Sequence, residues 1–149
     1  MHVAACDPEC ADAVTLMDEL SATLAALTGS SGKASFAVDD ARAAKSLFVI
    51  ARDDDGELLG CGALRPLAGE VGELKRMYAR PGTRGVGAAL LAHLEAAAAD
   101  FGYAALWLET RHINARAVAF YLKHGYSAVP QFGKYIGRPE AVCLGKNLR

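Results

Sequence analysis

The chain has 149 residues, 52% hydrophobic and 22% charged, a composition that fits a single globular domain over residues 1–149 and excludes a disordered one. Its formal net charge is −1 with no basic run, which argues against nucleic acid or an anionic membrane surface as principal partner. No apolar run approaches the roughly 18 residues that span a bilayer, and the first residues lack a secretory signal's basic start, so a cytoplasmic protein is expected.

In chain order, Met1 to Ala5 reads as a short strand. Asp7 and Pro8 supply a helix cap and a first-turn proline, and Ala13, Leu16, Met17, Leu20, Leu24 and Leu27 follow at helical spacing up to Gly29. Ser30-Ser31-Gly32 marks a loop, and Asp39 to Lys45 has room for one or two helical turns. Leu47 to Ala51 and Leu58 to Arg65 are β-prone runs flanking Asp53-Asp54-Asp55-Gly56, the signal of a β-hairpin. Pro66 to Gly72 reads as a second loop, after which Glu73 to Ala79 continues an antiparallel meander. Strict alternation there puts Glu73, Lys75, Met77 and Ala79 on one face and Leu74, Arg76 and Tyr78 on the other. Cys6, Cys10, Cys61 and Cys143 form no Cys-x-x-Cys pair, and no histidine stands at metal-ligand spacing. Reduced, mostly buried thiols and no metal are expected.

The turn after that strand, Arg80-Pro81-Gly82-Thr83-Arg84-Gly85-Val86-Gly87-Ala88-Ala89, leads into a helix whose first turn has no acidic side chain. Unpaired N–H groups and the positive end of the macrodipole leave such a start open to a phosphate. Gly85, Gly87 and Ala89 would let a ligand approach the backbone, and Arg84 adds positive charge. Gly85-Val86-Gly87 could begin a dinucleotide fingerprint, with Glu109 as ribose-binding acid, but Leu90 stands where its third glycine belongs. A P-loop fails for want of Gly-Lys-Ser/Thr, and an ordinary strand-to-helix turn stays open.

Val86, Leu90, Leu91, Leu94, Ala97, Ala98 and Phe101 form the helix's apolar stripe, and Gly102 ends it. Ala104 to Glu109 then returns parallel to the Glu73 strand in a right-handed βαβ crossover. Asn114 suits an N-cap for Ala115 to Lys123, with Val118 and Leu122 facing inward and Asn114 and Tyr121 on one side. Pro130 to Pro139 is loop-like, and Ala141 to Leu144 is the last strand.

The pattern Arg84-x-x-Gly87-x-Ala89 resembles the acetyl-CoA signature of the GNAT superfamily of N-acetyltransferases. So does Asn114-x-x-Ala117-x-x-Phe120-Tyr121-x-x-x-Gly125-Tyr126. With Gly60 to Arg65, Glu73 to Tyr78 and Phe132-Gly133-x-Tyr135, the chain is similar to a large bacterial group of stand-alone members. Arg111-His112-Ile113 departs from that group, which tends to have a glycine after the threonine, and leaves the local loop open.

The resemblance implies an α/β (α+β) fold of GNAT type: a mixed, mostly antiparallel sheet with a parallel splayed pair, flanked by helices. It implies acetyl-CoA as co-substrate and an amine as acceptor. Met77, Tyr78, Ala79, Arg84, Gly85, Val86, Gly87, Ala88, Ala89, Asn114 and Tyr121 would bind the cofactor. The backbone N–H of Met77 would steady the thioester oxygen, Tyr121 would protonate the departing thiolate, and Glu73 would be the base, with Glu109 in reserve. Glu73 could equally be an ion-paired partner of Lys75, and Lys75 with Arg76 could favour an acidic acceptor. A CoA-binding module without turnover is the alternative, the acceptor is open, and a homodimer is among the options.

Overall fold

In the computed structural model, which describes residues 1–149, the hairpin and crossover signals build one seven-stranded sheet of order β1-β2-β3-β4-β5-β7-β6. The strands β1 (His2–Ala5), β2 (Leu47–Arg52), β3 (Leu58–Ala68) and β4 (Val71–Ala79) make the antiparallel part. β5 (Ala105–Arg111) lies parallel to β4, while β7 (Ala141–Asn147) is antiparallel to β5 and carries the two-residue edge strand β6 (Ser127–Ala128). The expected mixed sheet with one parallel pair is therefore present.

Three helices cover the sheet. α2 (Val86–Phe101) buries Val86, Leu90, Leu91, Leu94 and Ala98 against Val49, Leu64, Leu74 and Leu106, the largest apolar cluster. Burial of each such leucine contributes about 1.5–3 kcal/mol. α3 (Ala115–Lys123) adds Tyr121 to the same cluster. α1 (Ala11–Thr28) covers the other face, where Ala13 and Leu16 meet Phe48, Ile50, Cys61 and Ala63.

Several local expectations are corrected. α1 begins at Ala11, capped by the Cys10 sulfur, because Asp7 closes a preceding turn by accepting from the Glu9 N–H at 2.7 Å. Cys6 and Cys10 pair sulfur to sulfur across that turn, with Cα atoms 7.1 Å apart, slightly wider than the common disulfide span. Cys61 and Cys143 are free and buried, as expected. The supposed loop from Pro66 to Gly72 shrinks to a tight turn, since β3 runs to Ala68 and β4 starts at Val71. Pro66 fits a strand there because β2 pairs with β3 only as far as Leu64. Leu122 faces solvent, and α3 packs through Ala117, Phe120 and Tyr121 instead.

The largest correction lies in β4. Ala63 pairs with Lys75 and Cys61 with Tyr78, so β4 carries one residue more than β3 over this stretch. Arg76 takes up the surplus with φ 54°, a left-handed conformation costing a non-glycine residue of order 1–3 kcal/mol. Its buried guanidinium is held by the Ser31 carbonyl at 3.1 Å, the Met17 carbonyl at 3.0 Å and the Ser21 hydroxyl. Alternation breaks at this bulge. Met77 packs with Leu74 on the α2 side, whereas Arg76 and Tyr78 join Glu73 and Lys75 on the α1 side, contrary to the period-two assignment.

Candidate active site

β4 and β5 are paired only at Val71 with Ala105, Gly72 with Leu106 and Glu73 with Trp107. Beyond Glu73 the strands part, which leaves the β4 edge that faced β5 without ladder partners. A cleft of about 130 Å³ occupies the gap. Lys75, Arg76 and Met77 line one wall, Leu108 to Thr110 the other, and Asn114 and Tyr121 of α3 close the end. Leu20 and Leu24 of α1 add an apolar rim.

Asn114 takes its expected place as the α3 cap. Its side chain accepts from the Ala117 N–H at 3.2 Å as the α3 cap, and it also lines the cleft. Tyr121 is buried, which raises its phenol pKa and keeps it protonated. Glu109 lines the cleft with its carboxyl pKa raised by burial, and its Oε2 has no hydrogen-bond partner despite Arg111 Nε at 3.3 Å. The Arg111 contact is within ion-pair range but lacks hydrogen-bond alignment, so the carboxylate keeps free acceptor capacity.

The turn into α2 has the open form expected of it. Gly85 is the N-cap at φ 71°, no side chain caps the helix, and no acidic residue occupies its first turn. Arg84 and Gly85 are exposed, while Gly87, Ala88 and Ala89 are half-buried and Val86 anchors the turn in the core. A Cβ on Gly87 would lie 3.2 Å from the Phe120 ring, so glycine allows α3 to stand close beside the helix start. Exposed N–H groups, small side chains and a nearby arginine fit a pyrophosphate.

Two of the expected cofactor residues lie apart from the cleft wall. The Tyr78 hydroxyl donates to Glu19 Oε1 at 3.1 Å on the α1 side, and Ala79 is exposed where β4 ends. Glu19 also holds Arg80 in a two-point pair of 2.9 and 2.7 Å, fastening α1 to the end of β4.

Glu73 faces a second cavity, of about 330 Å³. Residues 34–37 and Asp40 form one wall, Arg65 and Glu73 the floor, and Phe132, Lys134 and Tyr135 the other wall. The two cavities share Ser35 and Lys75. The Glu73 carboxylate is buried, 3.5 Å from Lys75 Nζ and 3.8 Å from Arg65 Nε. Lys75 also donates to the Tyr135 hydroxyl at 2.8 Å, and burial depresses its pKa. Sequence reading missed Ser35 and Asp40, which sit in a segment without a motif, and Arg65 and Lys134, which lie within Gly60 to Arg65 and Phe132-Gly133-x-Tyr135 but were given no role of their own. The signals on that side were Glu73, Lys75 and Tyr135 of Phe132-Gly133-x-Tyr135.

A model of the acetyltransferase (GNAT) family matches residues 15–126, so the chain belongs to this family and is an acetyl-CoA-dependent N-acetyltransferase. It is 38% identical over 104 residues to an IAA acetyltransferase of Azospirillum brasilense, covering 68% of this chain and 67% of that one. It is 32% identical over 89 residues to an uncharacterized N-acetyltransferase of Schizosaccharomyces pombe, covering 58% and 55%. The fold matches a Klebsiella pneumoniae structure assigned as an acyl-CoA N-acyltransferase, with TM-score 0.83, 28% identity, and 99% and 97% coverage. An aminoglycoside 6'-N-acetyltransferase complexed with coenzyme A shares the fold at 20% identity, with TM-score 0.71 and 100% and 98% coverage.

Proposed function

We propose that the chain acetylates a primary amine by direct attack, with acetyl-CoA in the β4–β5 cleft and the amine in the second cavity. The observation carrying this reading is that the two spaces meet at Ser35 and Lys75. The N–H groups from Gly85 to Ala88, with Arg84, hold the pyrophosphate, Ala89 leaving room beside them because its own N–H already donates to the Gly85 carbonyl at 3.0 Å, and Asn114 holds the pantetheine arm. The backbone of Met77 is at the acyl end, and that of Tyr78 and Ala79 runs on from it toward the pyrophosphate turn, their side chains lying outside the cleft. There the Met77 N–H steadies the negative charge that develops on the carbonyl oxygen.

An amine with a lysine-like pKa near 10.4 is protonated at neutral pH and must lose a proton first. Glu73 takes that proton on the acceptor side. The amine nitrogen then bonds to the carbonyl carbon, the carbon–sulfur bond breaks with its electron pair leaving on sulfur, Tyr121 gives its proton to that sulfur, and the second proton shed by the attacking nitrogen restores the Tyr121 hydroxyl through solvent. Glu109 is the second candidate base, favoured by its unpartnered Oε2 and its raised pKa, since a base works best when its pKa approaches the working pH.

The test compares Glu73→Gln with Glu109→Gln in a CoA thiol-release assay across pH. The expected result is a fall in kcat of about 10²- to 10⁴-fold for Glu73→Gln, with the acetyl-CoA KM nearly unchanged, and a smaller fall for Glu109→Gln. The reverse ranking would move the role to Glu109. Thermal stabilisation by acetyl-CoA without thiol release for any amine would favour a CoA-binding module.

A further inference from the structure

The second cavity has an uneven charge distribution. Three cations, Arg65, Lys75 and Lys134, face two carboxylates, Asp40 and Glu73, which leaves a net charge of +1 (three minus two). Both carboxylates are engaged: Asp40 lies 3.2 Å from Arg65, and Glu73 lies between Arg65 and Lys75. Lys134 has no carboxylate within ion-pair distance, and its ammonium donates only to the Ala34 carbonyl, at 3.1 Å. Lys75 and Lys134 both approach the Tyr135 ring, at 5.5 and 5.9 Å. The Lys134 pKa is lowered, first by partial desolvation and then by the charges of Lys75 and Arg138, against the opposite pull of Glu73 and Glu109.

A second positive charge brought into this space meets three cations and no free carboxylate, whereas an anion meets an unpaired ammonium. Charge-assisted hydrogen bonds to a carboxylate are about twice as strong as neutral ones. At about 330 Å³ the cavity is also at the small end of ligand sites. Building on the acetyl-transfer reading above, we infer that the acceptor is a small amine that also carries a carboxylate, of amino-acid type. Its carboxylate binds Lys134, supported by Arg65, and its amine lies at the Ser35–Lys75 neck beside Glu73. A polycationic acceptor, such as the aminoglycosides named for several structural relatives, does not fit this charge balance.

The experiment measures thiol release from acetyl-CoA with a panel of amino acids, the same amino acids as carboxamides, spermidine and kanamycin. We expect kcat/KM for the best acid to exceed that for its carboxamide by about tenfold or more, with spermidine and kanamycin poorest. Lys134→Glu, a change at an exposed side chain, should erase that ratio through the acceptor KM while leaving the acetyl-CoA KM in place. Equal or better turnover of carboxamides or polycations overturns the acceptor class but leaves acetyl transfer standing. Release with no member of the panel overturns both readings. An acid preference that survives Lys134→Glu overturns the role of Lys134.

Discussion

The two sides of β4 are built from different materials. Toward α2 and β5 the chain offers an open helix start, an unpaired strand edge and a cleft that is half apolar, whereas toward the second cavity it offers charged side chains from four separate segments. A backbone site can be specified by a few adjacent residues, because glycine positions and a helix start fix its geometry locally. A charged cavity depends on distant segments converging. Lys134 reaches the carbonyl of Ala34, 100 residues away in the chain. One side can therefore hold a constant cofactor while the other varies with the acceptor.

The largest defect from a cofactor-side change is expected in CoA binding. Gly87→Glu crowds Phe120 and puts a carboxylate where the pyrophosphate would lie. Loss of two charge-assisted hydrogen bonds, each worth about 1.5–3 kcal/mol, predicts at least about 100-fold weaker acetyl-CoA binding by calorimetry. Undiminished affinity would place the cofactor elsewhere. Tyr121→Phe should cut kcat about 10- to 100-fold with little change in either KM, near the low end for acid catalysis because a thiolate leaves readily. An unchanged kcat would make Tyr121 a packing residue.

A smaller effect concerns stability. Burial raises the Glu109 pKa above its ordinary 4.5, so its contribution to stability is complete below that value and lost as pH rises through the folded-state pKa. Glu109→Gln removes that loss. The Tm difference between variant and parent should grow in favour of the variant from about pH 4 to pH 8. A flat difference would mean that Arg111 neutralises the carboxylate fully.

Much of the cofactor side was legible in the sequence, because the open turn, the α2 stripe, the Asn114 cap and the β4–β5 crossover all depend on short-range signals. Two residues defeated the periodic reading of β4 and its approach. Pro66 looked like a loop marker, but it sits where β3 has already lost β2 as a neighbour. Arg76 looked like an ordinary alternating residue, and only the register against β3 reveals that it is surplus. Around the second cavity, Asp40, Arg65 and Lys134 lie 25 or more residues apart in the chain, and no local pattern joins them. Their common role follows from the closure of the chain.

The bulge at Arg76 has a consequence for insertions and deletions. Removing one residue between Lys75 and Tyr78 would let β4 pair with β3 at equal length, and the ladder itself would be more regular. The half-strand that follows would then have to rotate or slide by one position, carrying Tyr78 off Glu19 and drawing the α2 turn out of line with the cleft. Related chains should therefore differ in β4 by substitution, while its length stays fixed.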